Sequence, residues 1–112
     1  MTDDSEIPPP FDQRIADEYL GKYILVGLTY VDHKGNETRC VQLHGVIEKA
    51  APDGITISLR GARNGESWNM PPDLRAIFVA EPGIYTLHDT GERIENPDLL
   101  ARWTIHDPPP KH

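Results

Sequence analysis

Hydrophobic and polar positions alternate most regularly between Tyr23 and Ala50, in YILVGLTYVDHKGNETRCVQLHGVIEKA. Ile24, Val26, Leu28 and Tyr30 recur at period two. Val41, Leu43 and Ile47 resume that period after the polar turn Asp32-His33-Lys34-Gly35-Asn36. Every second side chain lies on one face of a strand, so the stretch predicts a long β-hairpin with one buried side. Gly45 fills the slot between Leu43 and Ile47 on that face. A glycine there predicts a sharp bend or a close backbone approach, and strands that curl over one core.

The flanking segments extend this pattern. Ala51-Pro52-Asp53-Gly54 is a tight-turn sequence. It leads into a strand with Ile55, Ile57 and Leu59 facing in and Thr56, Ser58 and Arg60 facing out. A polar loop over 61–67 precedes Trp68-Asn69-Met70, and Pro71-Pro72 interrupts any ladder there. Asp73-Leu74-Arg75 predicts one helical turn before a strand over 76–80. Further on, 83–87 predicts a strand, 89–92 a turn and the residues around Ile94 an extended segment. Asn96-Pro97-Asp98 is expected to start a turn or short helical segment over Leu99 and Leu100, before a closing strand from Trp103 to His106. Ahead of the hairpin, Asp12 is a plausible N-cap, Phe11 a staple onto Ala16, and Gly21 a C-terminal cap. Ile15 and Tyr19 share a face of this short helix, which is expected to plug one end of a barrel formed by the strands.

This order of elements, carried by YILVGLTYVD, VQLHGVIEKAAPDGITISL and GESWNMPPDLRAIFVA, resembles the SH3-like small β-barrels, including the Sm-like variety. The resemblance spans residues 12–80 and implies a mainly β barrel with a short N-terminal helix. The remainder, IYTLHDTGERIENPDLLARWTIHD, looks like an added C-terminal β extension. The Sm-type RNA-binding residues are not recognisable, so that activity is not implied. The whole chain also looks like small uncharacterised bacterial proteins. One domain is expected over residues 11–107. It lies between a disordered acidic and proline-containing segment at 1–10 and a proline-rich segment at 108–112, each with a proline triplet favouring polyproline II.

Charge narrows the choice of partners. The chain carries 11 basic and 18 acidic residues, a formal net charge of −7. An acidic body repels phosphate backbones and attracts a basic protein. No run approaches the length needed to span a bilayer, and MTDDSEIPPP is no secretory signal, so a cytoplasmic, non-membrane protein is expected. The one cysteine, Cys40, excludes an internal disulfide and is expected to be a half-buried, inert thiol.

Little chemistry is legible. The five histidines show no metal-ligand spacing, although His44, His88 and His106 fall on predicted strands or strand ends where they could converge. No nucleophile elbow or phosphate-binding loop is present, and no cofactor is implied. The best site candidate is the segment 60–75, RGARNGESWNMPPDLR, which gathers Arg60, Arg63 and Arg75 around Trp68. Arginine and tryptophan are enriched at interface hot spots, whereas the competing expectation is Trp68 packed as core and the arginines paired with Glu66 and Asp73.

Three functions follow as expectations. The first is a non-catalytic protein-binding or adaptor module, with self-association through an exposed sheet edge. The second is an immunity-type protein that neutralises a basic toxin, for which binding would weaken as salt rises. The third is RNA binding through the Arg60–Arg75 loop.

Overall fold

Strands β1 (Tyr23–Val31) and β2 (Glu37–Ala51) form the expected antiparallel hairpin, in register from Tyr23 opposite Val46 to Tyr30 opposite Arg39. The computed structural model describes residues 11–107, so both expected proline-containing tails lie outside the described residues. β2 outruns β1, and its second half pairs with β3 (Gly54–Leu59). Gly45 belongs to both pairings, opposite Ile24 on one side and Leu59 on the other. A Cβ at Gly45 would lie 2.0 Å from the Ser58 carbonyl oxygen. The expected close backbone approach is therefore present. A register shift between Ile47 and Lys49 adds local twist just beyond it.

Strand β4 (Ser67–Met70) continues the sheet antiparallel to β3, with Trp68 opposite Ile57. On the other side the sequence expectation needs correction. Residues 99 and 100 are not a turn or helical segment: β8 (Leu99–His106) begins at Leu99 and lies parallel to β1, from Ile24 opposite Leu99 to Val31 opposite His106. A parallel neighbour needs a crossover connection, and the residues between β4 and β8 supply it. That connection contains β5 (Ile77–Val79), preceded by the expected helical turn as a 3-10 turn over Leu74–Ala76. It also contains the small hairpin β6 (Ile84–Thr86) and β7 (Arg93–Glu95). The strand order is β4-β3-β2-β1-β8-β5, with β6-β7 as a separate two-stranded sheet. β4 and β5 are not hydrogen-bonded to one another, so the sheet is unclosed. The C-terminal segment is thus no appendage, because β8 is an inner strand of the main sheet.

The two faces of the sheet bury unequal cores. The concave face carries Ile24, Val26, Leu28, Leu43, Ile47, Ile55, Ile57, Leu59, Met70, Leu99 and Ala101, all buried. Each fully buried aliphatic side chain of this kind contributes about 1.5–3 kcal/mol. The convex face has a smaller cluster, where Leu25 meets Leu87 and Ile94 from the β6–β7 hairpin. Helix α1 (Gln13–Tyr19) starts at Asp12, whose carboxylate accepts the Arg14 and Ile15 amides. It packs on β2, and the Gln13 side chain donates to the Ala50 carbonyl at 2.9 Å. Ala16 is its buried residue and Tyr19 packs against the core as expected, while Ile15 is 41% exposed, so Ala16 takes the place on the buried face expected for Ile15. Trp103 packs against the main core as expected of a strand residue, with its indole N–H buried and unpaired among the described residues.

Two glycines on the same hairpin separate space from strain. Gly45→Val should lower stability by about 3 kcal/mol or more, because the clash is with backbone that cannot step aside. Gly27→Ala, where a Cβ meets nothing within 4 Å, should leave the urea midpoint nearly unchanged. Equilibrium unfolding of the two variants checks the pair, and equal losses would show that Gly45 has no special role.

Candidate functional site

The chain leaves β3 along a tightly built loop. The Arg60 amide donates to the His44 carbonyl at 2.9 Å, and Gly61, at φ +67°, opens a 3-10 turn over Gly61–Arg63. The Asn64 amide closes on the Gly61 carbonyl, and the Leu59 amide on the Glu66 carbonyl. This returns the chain as β4 with Trp68 on the concave face. Arg63 and Trp68 then meet Tyr30 and Arg39, from the far ends of β1 and β2, around a groove of about 250 Å³. Leu28, Val41, Leu43 and Leu59 give the groove an apolar lining, and Glu66 and Ser67 stand at its side. The Arg39 guanidinium lies 4.1 Å from the centre of the Tyr30 ring. Stacking of this kind is worth about 0.5–1 kcal/mol at an exposed site, and it fixes the arginine beside the groove.

The four residues singled out in the sequence do not form one cluster. Arg63 and Trp68 share the groove. Arg60 sits on the opposite face, as strand alternation requires, with a guanidinium nitrogen donating to the Ser58 hydroxyl at 2.7 Å. Arg75 is not among the groove residues; it sits on the turn before β5, where it donates twice to Asp73 at 2.9 Å. The Arg75–Asp73 pairing expected in competition with a site is present, and the side chain of Arg75 is committed to it. Tyr30 and Arg39 complete the groove although sequence reading passed over them. Their signal was the period-two run itself, which places Tyr30 after Leu28 and Arg39 before Val41 on one face.

The three histidines do not converge either. His106 is exposed at the end of β8 opposite Val31, while His44 lies opposite Leu25. Six residues of strand separate them, about 20 Å. His88 is exposed in the hairpin loop, its amide held by the Gln42 side chain at 2.7 Å. Among the described residues no group of three His, Cys, Asp or Glu side chains is placed to hold a metal ion. Cys40 is exposed, not half-buried, with Thr29 at 4.0 Å from its sulfur.

His44 is instead the buried centre of a polar relay on the convex face, and it is 5% exposed. Its Nδ1 lies 2.6 Å from the Tyr23 hydroxyl and its Nε2 lies 3.0 Å from Glu92 Oε2. An ionised carboxylate only accepts, so Nε2 carries a proton, and the Tyr23 hydroxyl donates to Nδ1 in the neutral ring. Burial would push the Glu92 carboxyl up. The Thr90 hydroxyl, His44 and the Ala62 amide outweigh it and hold Glu92 below the usual carboxylate range. Burial pushes the Tyr23 phenol up, with Arg60 opposing the shift and Glu92 reinforcing it. Gly61 completes the fit, since a Cβ there would lie 1.8 Å from Glu92 Oε2 and 2.7 Å from His44 Nε2. Neither metal-ligand spacing nor convergence of the histidines with one another points to this relay, because Glu92 is 48 residues from His44.

Comparison with known proteins gave no match, whether to a family model, to a curated protein or to a solved structure. No helix among the described residues is long and apolar enough to cross a membrane.

Acid should expose the relay. The folded pKa of Glu92 lies below its ordinary value of 4.5, so its stabilising contribution is complete above that value and is lost as the pH falls through the depressed one. The urea midpoint should therefore drop less between pH 7 and pH 3 in Glu92→Gln than in the parent chain. Asp12, Asp32 and Asp73, also held low, remain in both chains, so the difference reports the Glu92–His44 pair. Parallel pH profiles would remove Glu92 from the account.

Proposed function

We propose that this is a non-catalytic protein-binding module whose contact surface is the groove between Tyr30 and Trp68. The observation that carries this reading is the composition of the groove: Trp68, Tyr30 and two arginines over an apolar lining, at the free edge strand β4. Aromatic and arginine side chains of this kind give large contact area and directional donors. The scaffold is read as an opened variant of an SH3-like barrel, supported by the order helix, bent hairpin, third strand and proline-interrupted return. The net charge of −7 favours encounter with a basic protein, and the immunity-type role is the sharper form of this reading. Edge strand β5, where Phe78 and Val79 are 58% and 82% exposed, is where a second copy would add.

RNA is the second reading, favoured by the stacked Arg39–Tyr30 pair beside Trp68. Both classes use the same side chains, so partner chemistry decides between them. The acidic body places protein first.

Selection of the full chain against a displayed peptide library tests the proposal. Selected peptides should bind Trp68→Ala about 30-fold more weakly, the size of an interface hot spot. Arg39→Ala and Arg63→Ala should each weaken binding, and Arg75→Ala should not. Peptides indifferent to Trp68→Ala would end the groove reading. A shift of single-stranded RNA at low salt that Trp68→Ala removes would turn it to nucleic acid.

A further inference from the structure

The relay and the groove lie on opposite faces of the sheet, yet one carboxylate touches the machinery of both. Glu92 Oε2 takes a hydrogen bond from His44 Nε2 at 3.0 Å and another from the Ala62 amide at 3.3 Å. Ala62 is the middle residue of the 3-10 turn whose last residue, Arg63, lines the groove. The turn begins at Gly61, whose backbone is pressed so closely against Glu92 and His44 that no side chain fits. The loop from Arg60 to Ser67 is therefore fastened on the convex face at its start and delivers Arg63 and Trp68 to the concave face at its end.

The piece that supplies Glu92 is weakly held. β6 and β7 share three paired positions, Ile84 with Glu95, Tyr85 with Ile94 and Thr86 with Arg93. A two-stranded hairpin of that size is marginal in water by itself. Its apolar anchorage is the small cluster of Leu87 and Ile94 on Leu25, with Tyr23, Tyr85 and Leu100 partly buried around it: three buried residues against fourteen in the main core. Besides Glu92, the polar ties are the His88 backbone amide on the Gln42 side chain and the Gln42 backbone amide on Asp89, at 2.7 and 3.4 Å. Segments with few buried contacts open locally before the rest of a fold does.

We propose that the β6–β7 hairpin is a clasp that sets the groove. Docked, it holds the Gly61–Arg63 turn through Glu92 and keeps Arg63 in the groove wall. Released, it frees the turn, and the groove loses that wall. The clasp rests on reading the groove as the contact surface and names the regulation of that surface. Linkage makes the effect reciprocal, so a ligand gripping Arg63 protects the hairpin.

Hydrogen exchange of the full chain, read by mass spectrometry, tests the clasp without any ligand. In Glu92→Ala, segments 84–95 and 61–67 should exchange together about 10-fold faster, because both lose the same charged acceptor. Residues 24–28 should stay as in the parent. Glu92→Gln, which keeps a carbonyl acceptor for His44 and Ala62, should recover most of the protection. With Trp103→Phe leaving Trp68 as the sole tryptophan, its emission should shift to longer wavelength in Glu92→Ala and return in Glu92→Gln. If Glu92→Ala loosens the entire chain, Ile94→Val trims the hairpin anchor without touching Glu92 and should give the same paired acceleration. Faster exchange at 84–95 with 61–67 unchanged overturns the clasp in either variant. That result would leave the Trp68 binding test standing. Conversely, library peptides indifferent to Trp68→Ala would remove the groove and leave paired exchange to be explained.

Discussion

The close approach of Gly45 to the Ser58 carbonyl sets the curvature of the whole sheet. One strand, β2, serves two partners, and the position where it changes allegiance cannot carry a side chain. With the bend made there, the first half of β2 aligns with β1 and the second half with β3. Ile47, Ile55 and Ile57 can then turn onto the same core as Ile24 and Val26. Without it, the same alternation would give a flatter sheet whose apolar face is too wide for one short helix to cover. Every later element uses the concavity that results.

Concavity also explains why the ends of the sheet differ. Helix α1 and the Phe11 side chain lie on one end, beside Ala50 and Ile47. At the other end β5 stops short, because it pairs only with Leu99 to Ala101 of β8. There Tyr30, Val41 and Trp68 remain half-buried, and the groove is the space they leave. The convex face solves a different problem. A sheet that curls one way exposes its outer surface, and the β6–β7 hairpin covers part of it around Leu25. Covering that surface buried His44, and a buried imidazole must satisfy both nitrogens. Tyr23 and Glu92 do so from a neighbouring strand and from the cover itself.

Long-range pairing marks the boundary between what could and could not be read from the chain. The hairpin, the third strand, the cap at Asp12 and the turn before β5 are local: each is fixed by alternation, a capping side chain or a proline within a few residues. β8 was misread at its start because Asn96-Pro97-Asp98 looks like a helix or turn opening. Its real environment, parallel to β1 and beside β5, is set by residues about 75 positions earlier. The site divides the same way. Arg63 and Trp68 were found because the loop joining them is short, whereas Arg60 and Arg75 shared only proximity in sequence with them.

The alternating apolar face, the glycine on which it bends and the acidic balance are all written in the order of the amino acids. Those properties belong to single residues and to their nearest neighbours, where steric and capping rules act. That the sheet stays open, that Arg39 stacks on Tyr30 in the groove and that His44 lies between Tyr23 and Glu92 emerges only from the folded chain. Each of these is a contact between segments far apart in the chain. Its energy comes from burial and geometry that exist only once the sheet has curled over its core.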